Sequence, residues 1–344
     1  MTPIYSQLLI PFLIAMAVAI TMGGSGTAPA FSASYGANVI RKTVIPGLFG
    51  IMVFVGAFLA GKKTAGTMGS GILPSEYLDF TVVSIALFSI AVTMLISNIS
   101  GIPQSTSQAA VLALAAPALY FEKLDTNRLF MEIIPAWFIL PVIAYFLSYF
   151  AGKYIYQPMR RRGLTIQRAQ NENKKHIWDV ALVIMALYVS FAIGSNNVAN
   201  ATGPLYTMTI NELHIRESDH IVILMLATLV VAPCFGIGAS LFGHKILKNT
   251  GKEIILFGKF EAVIIAFISG SLLLLASVVK GIPTSLVQVN VAAILGIGVA
   301  KMGHKNIFRK TQVKRFFAMW MIAPVISFVL SLLLIFLADR FNFL

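Results

Sequence analysis

Charge and cysteine are what this 344-residue chain has least of. Only 11% of its residues are charged, less than half the share usual in a soluble domain, while 58% are hydrophobic. The apolar, uncharged runs cover 1–40, 43–61, 80–121, 133–152, 180–211, 221–243, 262–279, 281–300 and 316–338. They leave no room for a soluble domain of ordinary size, since a membrane span takes about 20 such residues. The first run has no positive n-region or small-residue cleavage site of the signal-peptide kind, so it is expected to stay in the mature protein. The single cysteine, Cys234, excludes an intrachain disulfide and any CxxC pair. Acidic residues number 13 against 26 Lys and Arg. The five histidines, His176, His214, His220, His244 and His304, fall in or beside charged loops. No HExxH-type cluster accompanies them, so the expectation is no enzyme, no metal site and no bound cofactor.

The net charge of +13 would suit a nucleic-acid binder, but its placement argues for topology instead. Splitting the 80–121 run at Gly101-Ile102-Pro103 gives ten passes. Alternating them from an outside N-terminus puts 41–42, 153–175, 243–253 and 301–315 on the inside. Those loops hold 18 Lys and Arg against 7 on the outer side, the positive-inside bias of a multi-pass protein of the cell membrane. Both termini are then predicted outside, with Lys62 and Lys63 as the clearest exceptions.

The chain also repeats itself. Gly101-Ile102-Pro103-Gln104-Ser105-Thr106-Ser107-Gln108 returns as Gly281-Ile282-Pro283-Thr284-Ser285-Leu286-Val287-Gln288 at an offset of 180, with five of eight positions identical. The stretch from Gly56 to Lys63 returns at Gly238 to Lys245, and Gly24-Ser25 matches Gly194-Ser195. Five passes per half make the second copy inverted relative to the first. The expected architecture is an all-α polytopic membrane protein of two inverted five-pass repeats with broken helices or helical hairpins, 10–12 membrane segments in all. Its parts are a first repeat over 1–152, a basic cytoplasmic linker over 153–177 and a second repeat over 178–344.

Inverted repeats with interrupted apolar segments point to a secondary transporter whose site lies where the repeats meet. Runs 1–40 and 180–211 are longer than a span and carry the polar stretches Gly23-Gly24-Ser25-Gly26-Thr27 and Gly194-Ser195-Asn196-Asn197. Unwinding there would free backbone N–H groups at membrane depth. In each Gly-Ile-Pro motif the proline suits the first helical position, and Ser105 or Ser285 is expected in the first turn of a new helix. Such a helix start, with free donors and positive dipole character, favours an anion. The candidate substrate ligands are Ser25, Gly26, Thr27, Gln104, Ser105, Thr106, Ser107, Asn196, Asn197, Asn200, Thr284 and Ser285. The plainer alternative for these motifs is a helical hinge with hydroxyls bonded back to the backbone. The three asparagines also suit a role as interhelical glue.

At these residues the chain resembles the inorganic phosphate transporter (PiT) family, which carries GANDVANA near the start of each half and a GLPVSTTHA-type motif later. Gly194-Ser195-Asn196-Asn197-Val198-Ala199-Asn200-Ala201 matches the first motif, and Gly101 to Ala109 matches the second. The resemblance implies an inverted-repeat transporter, a homodimer, and oxyanion uptake coupled to an ion. The first-half copy, Gly24 to Phe31, lacks the Asn-Asp pair, and the second has Asn197 where the family has aspartate. In this the chain is similar to the sulfate permease branch of the family, the CysP-like proteins. The expected cargo is sulfate, with phosphate as the alternative. An ionised carboxylate only accepts hydrogen bonds, so it suits the P–OH of phosphate and repels a fully deprotonated sulfate. Loss of the motif aspartates favours a co-transported proton over sodium, which makes Asp79, Asp179 and Glu261 the coupling candidates. A channel built on the same helix starts is the rival from another class.

Overall fold

The computed structural model describes residues 3–100, 104–162, 172–244, 247, 258–309 and 311–344. Gly101-Ile102-Pro103 of the first motif, Lys245 of the second repeated pair and residues 163–171 of the 153–177 linker lie outside these. Every regular element among them is a helix. The first helix, α1 (Pro3–Gly36), runs unbroken through Gly23–Thr27, against the unwinding expected there. The polar side chains satisfy themselves along the helix: Ser25 Oγ donates to the Met22 carbonyl and Thr27 Oγ1 to that of Gly23. No backbone donor needs to be freed. Next come α2 (Ile45–Ala60) and α3 (Lys62–Ser70), bent by 76° at Gly61, then α4 (Phe80–Ser100), α5 (Thr106–Tyr120) and α6 (Ile134–Phe150).

The second half follows the same order. Helix α7 (Glu172–Asn197) passes to α8 (Ala199–Leu213) with only Val198 between them, so here too the expected break is slight. Then come α9 (His220–Val231), α10 (Cys234–Leu241), α11 (Lys259–Leu275), α12 (Leu286–Met302) and α13 (Thr311–Arg340).

Seven stretches among the described residues are long and apolar enough to span, or eight counting the bent α2–α3 pair, not ten. The two missing passes are α5 and α12. At 15 and 17 residues they reach only about 22–26 Å, short of a hydrocarbon core of about 30 Å. They are buried on nearly every side. Sequence cannot separate apolar residues that face lipid from those that face protein, and α5, rich in buried alanine, is of the second kind.

The halves grip each other crosswise. Helix α1 packs on α10 and α7 on α2, while α5 lies against α13 and α12 against α6. Glycine makes the closest approaches possible. A Cβ on Gly56 would collide with the Phe191 carbonyl, and one on Gly238 with the Ile20 carbonyl. These are the two glycines that the repeat aligned. Between α5 and α13, Ser327 and Ser331 donate to the carbonyls of Ala109 and Ala113 at 2.9 and 2.7 Å.

Candidate functional site: a carboxylate-free cavity between two helix tips

The tips of α5 and α12 start alike. Ser105 and Ser285 are the N-cap residues, each accepting a hydrogen bond at its hydroxyl from the backbone of Gln108 or Gln288. Both caps therefore keep an O–H proton to give away. Pro283 is not the first helical residue, as the sequence suggested, but part of an extended lead-in. Gly281 opens that lead-in with φ +64°, packed on the backbone of Lys63, a place only glycine fills without strain. Trp137 Nε1 fastens it by donating to the Pro283 carbonyl at 2.9 Å. One turn into each helix, Gln108 and Gln288 exchange two amide hydrogen bonds of 3.0 and 2.9 Å.

Beside these tips is a cavity of about 230 Å³, bounded by Ser25, Gly26 and Pro29 of α1, by Gln104, Ser105 and Thr106, by Asn197, and by Ser285, Leu286 and Val287. Most of that volume is crevice between side chains: the room left for a guest is about that of one water, so an oxyanion enters only when the walls move apart. No charged side chain lines the cavity. Two helix N-termini meet there, each leaving first-turn N–H groups without an intrahelical acceptor. Gln104 is fully buried with neither amide atom bonded to protein, and the Asn197 carbonyl oxygen is buried without a donor. Buried amides left open are costly unless something fills the space between them. Pro29 adds one acceptor, because it has no N–H for the Ser25 carbonyl one turn earlier.

Seven of the sequence candidates thus gather at one point. The other five do not border it. Thr27 is spent on Gly23. Ser107 donates to Asn196 Oδ1 at 3.1 Å and accepts from Asn200 Nδ2 at 3.2 Å. Asn196 is fully committed: its Nδ2 donates to Ser277 Oγ and the Ile282 carbonyl, and its Oδ1 also accepts from Thr284 N. These residues tie α7 to both tips, so the asparagine motif divides into glue, Asn196 and Asn200, and lining, Asn197. Gln108, Gln288, Trp137 and Asn98, which bonds the Thr21 carbonyl at 2.7 Å, went unsuspected. Amides inside uncharged runs were the signal available for three of them.

The coupling candidates stand elsewhere. Asp79 accepts from Val82 N as a cap on α4. Burial pushes its carboxyl above the ordinary 3.8, with Glu212 adding a smaller push and the N–H groups of Val82 and Thr81 opposing. Asp179 pairs with Lys259. Glu261, 2% exposed, takes the Lys301 ammonium at 2.8 Å. Lys301 is 16 residues along α12 from Ser285, roughly 24 Å, so that pair lies a helix length from the cavity.

A multi-pass helical membrane protein with a buried, uncharged, donor-rich cavity belongs by its build to the solute transporters. Residues 22–331 match the model of the phosphate transporter family (PHO4), and the chain is a member of that family. The sulfate permease CysP of Bacillus subtilis is 31% identical over 94% of this chain and 86% of its own length. A protein assigned as a phosphate permease in Methanocaldococcus jannaschii is 24% identical over 94% of this chain and 95% of its own. A solved structure described as the sodium-dependent phosphate transporter shares the fold with a TM-score of 0.83, covering 97% of this chain and 99% of that one at 19% identity.

Proposed function

We propose that this chain is a secondary transporter that imports a tetrahedral oxyanion, sulfate, across the cell membrane. The observation that carries the reading is the meeting of two serine-capped helix starts at one cavity without a carboxylate. Ser105, Ser285, Gln104 and Asn197 supply neutral donors, and the helix ends supply the positive potential. Such a set recognises charge and acceptor oxygens but offers no ionised acceptor for a P–OH, which favours sulfate over phosphate. The similarity to a sulfate permease supports the same choice.

The repeated motifs and the crosswise packing support two inverted repeats, 1–152 and 178–344, joined by the 153–177 linker on the cytoplasmic side, with both termini outside. Alternating access would then be a rocking of one repeat against the other around the cavity. A homodimer is the assembly implied by the family resemblance. Coupling to a proton is the further step. A dianion entering against a negative-inside potential needs co-transported cations, and Asp79, Asp179 and Glu261 are the titratable groups available to carry a proton. Phosphate as cargo remains the second reading, supported by the family to which the chain belongs.

Uptake of radiolabelled sulfate into proteoliposomes, under imposed proton or sodium gradients, tests the whole. Saturable, proton-driven uptake resistant to excess phosphate is the expected result. Equal competition by phosphate would transfer the cargo, sodium dependence would transfer the coupling, and non-saturating flux would make the protein a channel. Asn197→Asp, which sets a negative charge against the anion, should abolish sulfate binding. Ser105→Ala should weaken it about tenfold to a hundredfold, the worth of one hydrogen bond to a charged group.

A further inference from the structure

A second small space, with room as it stands for about one or two waters, lies between the later turns of α1 and helices α7, α11 and α12. Pro29 stands in both walls. Its polar lining is Ser32, Ser34 and Asn290. The Ser34 hydroxyl is bonded to the Phe31 carbonyl. Asn290 is different. It is 4% exposed, its Oδ1 receives Ser269 Oγ at 3.5 Å, and among the described residues its Nδ2 has no acceptor. The amide N–H of this nearly buried side chain is thus left open to that space.

The position is not a by-product of the repeat. At the offset of 180 the first half has Ala110, fully buried. Asn290 lies five residues beyond Ser285 on α12, about 7.5 Å, and on the way to Lys301. At the far end Ala262 and Leu182 border the space. Glu261, next to Ala262, meets Lys301, and Asp179, one turn before Leu182, meets Lys259.

We propose that Asn290 is a second contact for the oxyanion, which leaves the central cavity past Pro29 and is received by the Asn290 amide before reaching the lysines of the two ion pairs. The proposal rests on the central cavity being the anion site. A neutral donor suits a transit point, since it offers a hydrogen bond without the tight hold of a buried cation.

The test uses the full chain in proteoliposomes with Cys234→Ser as background and sulfate as the probe. Asn290→Cys should react with a membrane-impermeant thiol reagent faster from the Lys301 side than from the other, and saturating sulfate should slow the reaction about tenfold. Asn290→Leu should keep equilibrium sulfate binding within about threefold of the parent while uptake falls about tenfold, one charged-group hydrogen bond lost in passage but not at the main site. Unprotected labelling of Asn290→Cys, or normal uptake by Asn290→Leu, overturns the second contact even where the parent binds sulfate and Asn197→Asp does not. If the parent binds neither sulfate nor phosphate, the central reading falls and the second contact with it.

Discussion

The tips of α5 and α12 share a serine cap and a glutamine one turn on, yet differ in between. On α5 the intervening residues are Thr106 and Ser107, and on α12 they are Leu286 and Val287. The opposite holds for the helices behind them, where α7 brings Asn196 and Asn197 and α1 brings only Ser25 and Gly26. Of these, Thr106, Asn197 and Ser25 bring polar groups to the cavity, while Leu286 and Val287 give it an apolar side. The matching segments share the serine caps and the close-contact glycines and differ in the residues that follow the caps. A site between two copies can be made asymmetric without disturbing the frame, because caps act locally while ligands act across the gap.

The frame should fail symmetrically. Gly238→Val and Gly56→Val each force a side chain into a neighbouring helix carbonyl. Both should lower the yield of folded protein in size-exclusion profiles by about tenfold or more, given that overpacking costs about 1–3 kcal/mol or more and neither backbone can retreat. If one glycine tolerates valine, the two contacts are not equivalent.

The carboxylates at matching points of the halves should fail unequally. Glu261→Gln removes one partner of a Lys301 ammonium that also stands over the Tyr156 ring, so the cost should fall below the about 3–5 kcal/mol of a buried charge left wholly uncompensated. Thermal unfolding should show it, and Lys301→Met added to the same variant should restore much of the loss. Uptake lost with Glu261→Gln alone would thus report the pair as readily as any proton.

The glutamine pair tests the link between the tips. Gln108→Leu leaves the Gln288 amide buried without its partner, a cost of about 1–3 kcal/mol. The double variant, with Gln288→Leu, should be more stable than either single one. If the double loss equals the sum of the singles, the two amides do not depend on each other.

The smallest effect is expected at Asp79. Its raised pKa means that the folded state holds the proton more tightly than the unfolded chain. The penalty is absent below 3.8, grows as pH rises toward the shifted value and is complete above it. Asparagine caps a helix as well as aspartate. Asp79→Asn should therefore raise the unfolding temperature by about 1–2 °C at pH 7 and lose that advantage below pH 4.

The membrane class and the meeting of Ser25, Ser105, Asn197 and Ser285 at one cavity were legible in the sequence, because polar residues in an apolar run have few inexpensive places to be. That α1 stays helical through Gly23–Thr27 was not, since a hydroxyl bonded to its own helix and one aimed at a ligand are the same letter. Nor was the division of labour between Asn196 and Asn197, neighbours whose side chains leave α7 in different directions. The short reach of α5 and α12 was hidden for a further reason: alanine that faces protein and alanine that faces lipid have the same hydropathy.

The uncharged lining of the cavity has an electrical consequence. An empty site without formal charge crosses the membrane field at no cost, so its return is indifferent to voltage. A dianion in the same site adds about 4–5 kcal/mol for every 100 mV it must climb. In the proposed cycle depolarisation should therefore speed the loaded half and leave the empty half alone, unless co-transported cations cancel the anion's charge in full.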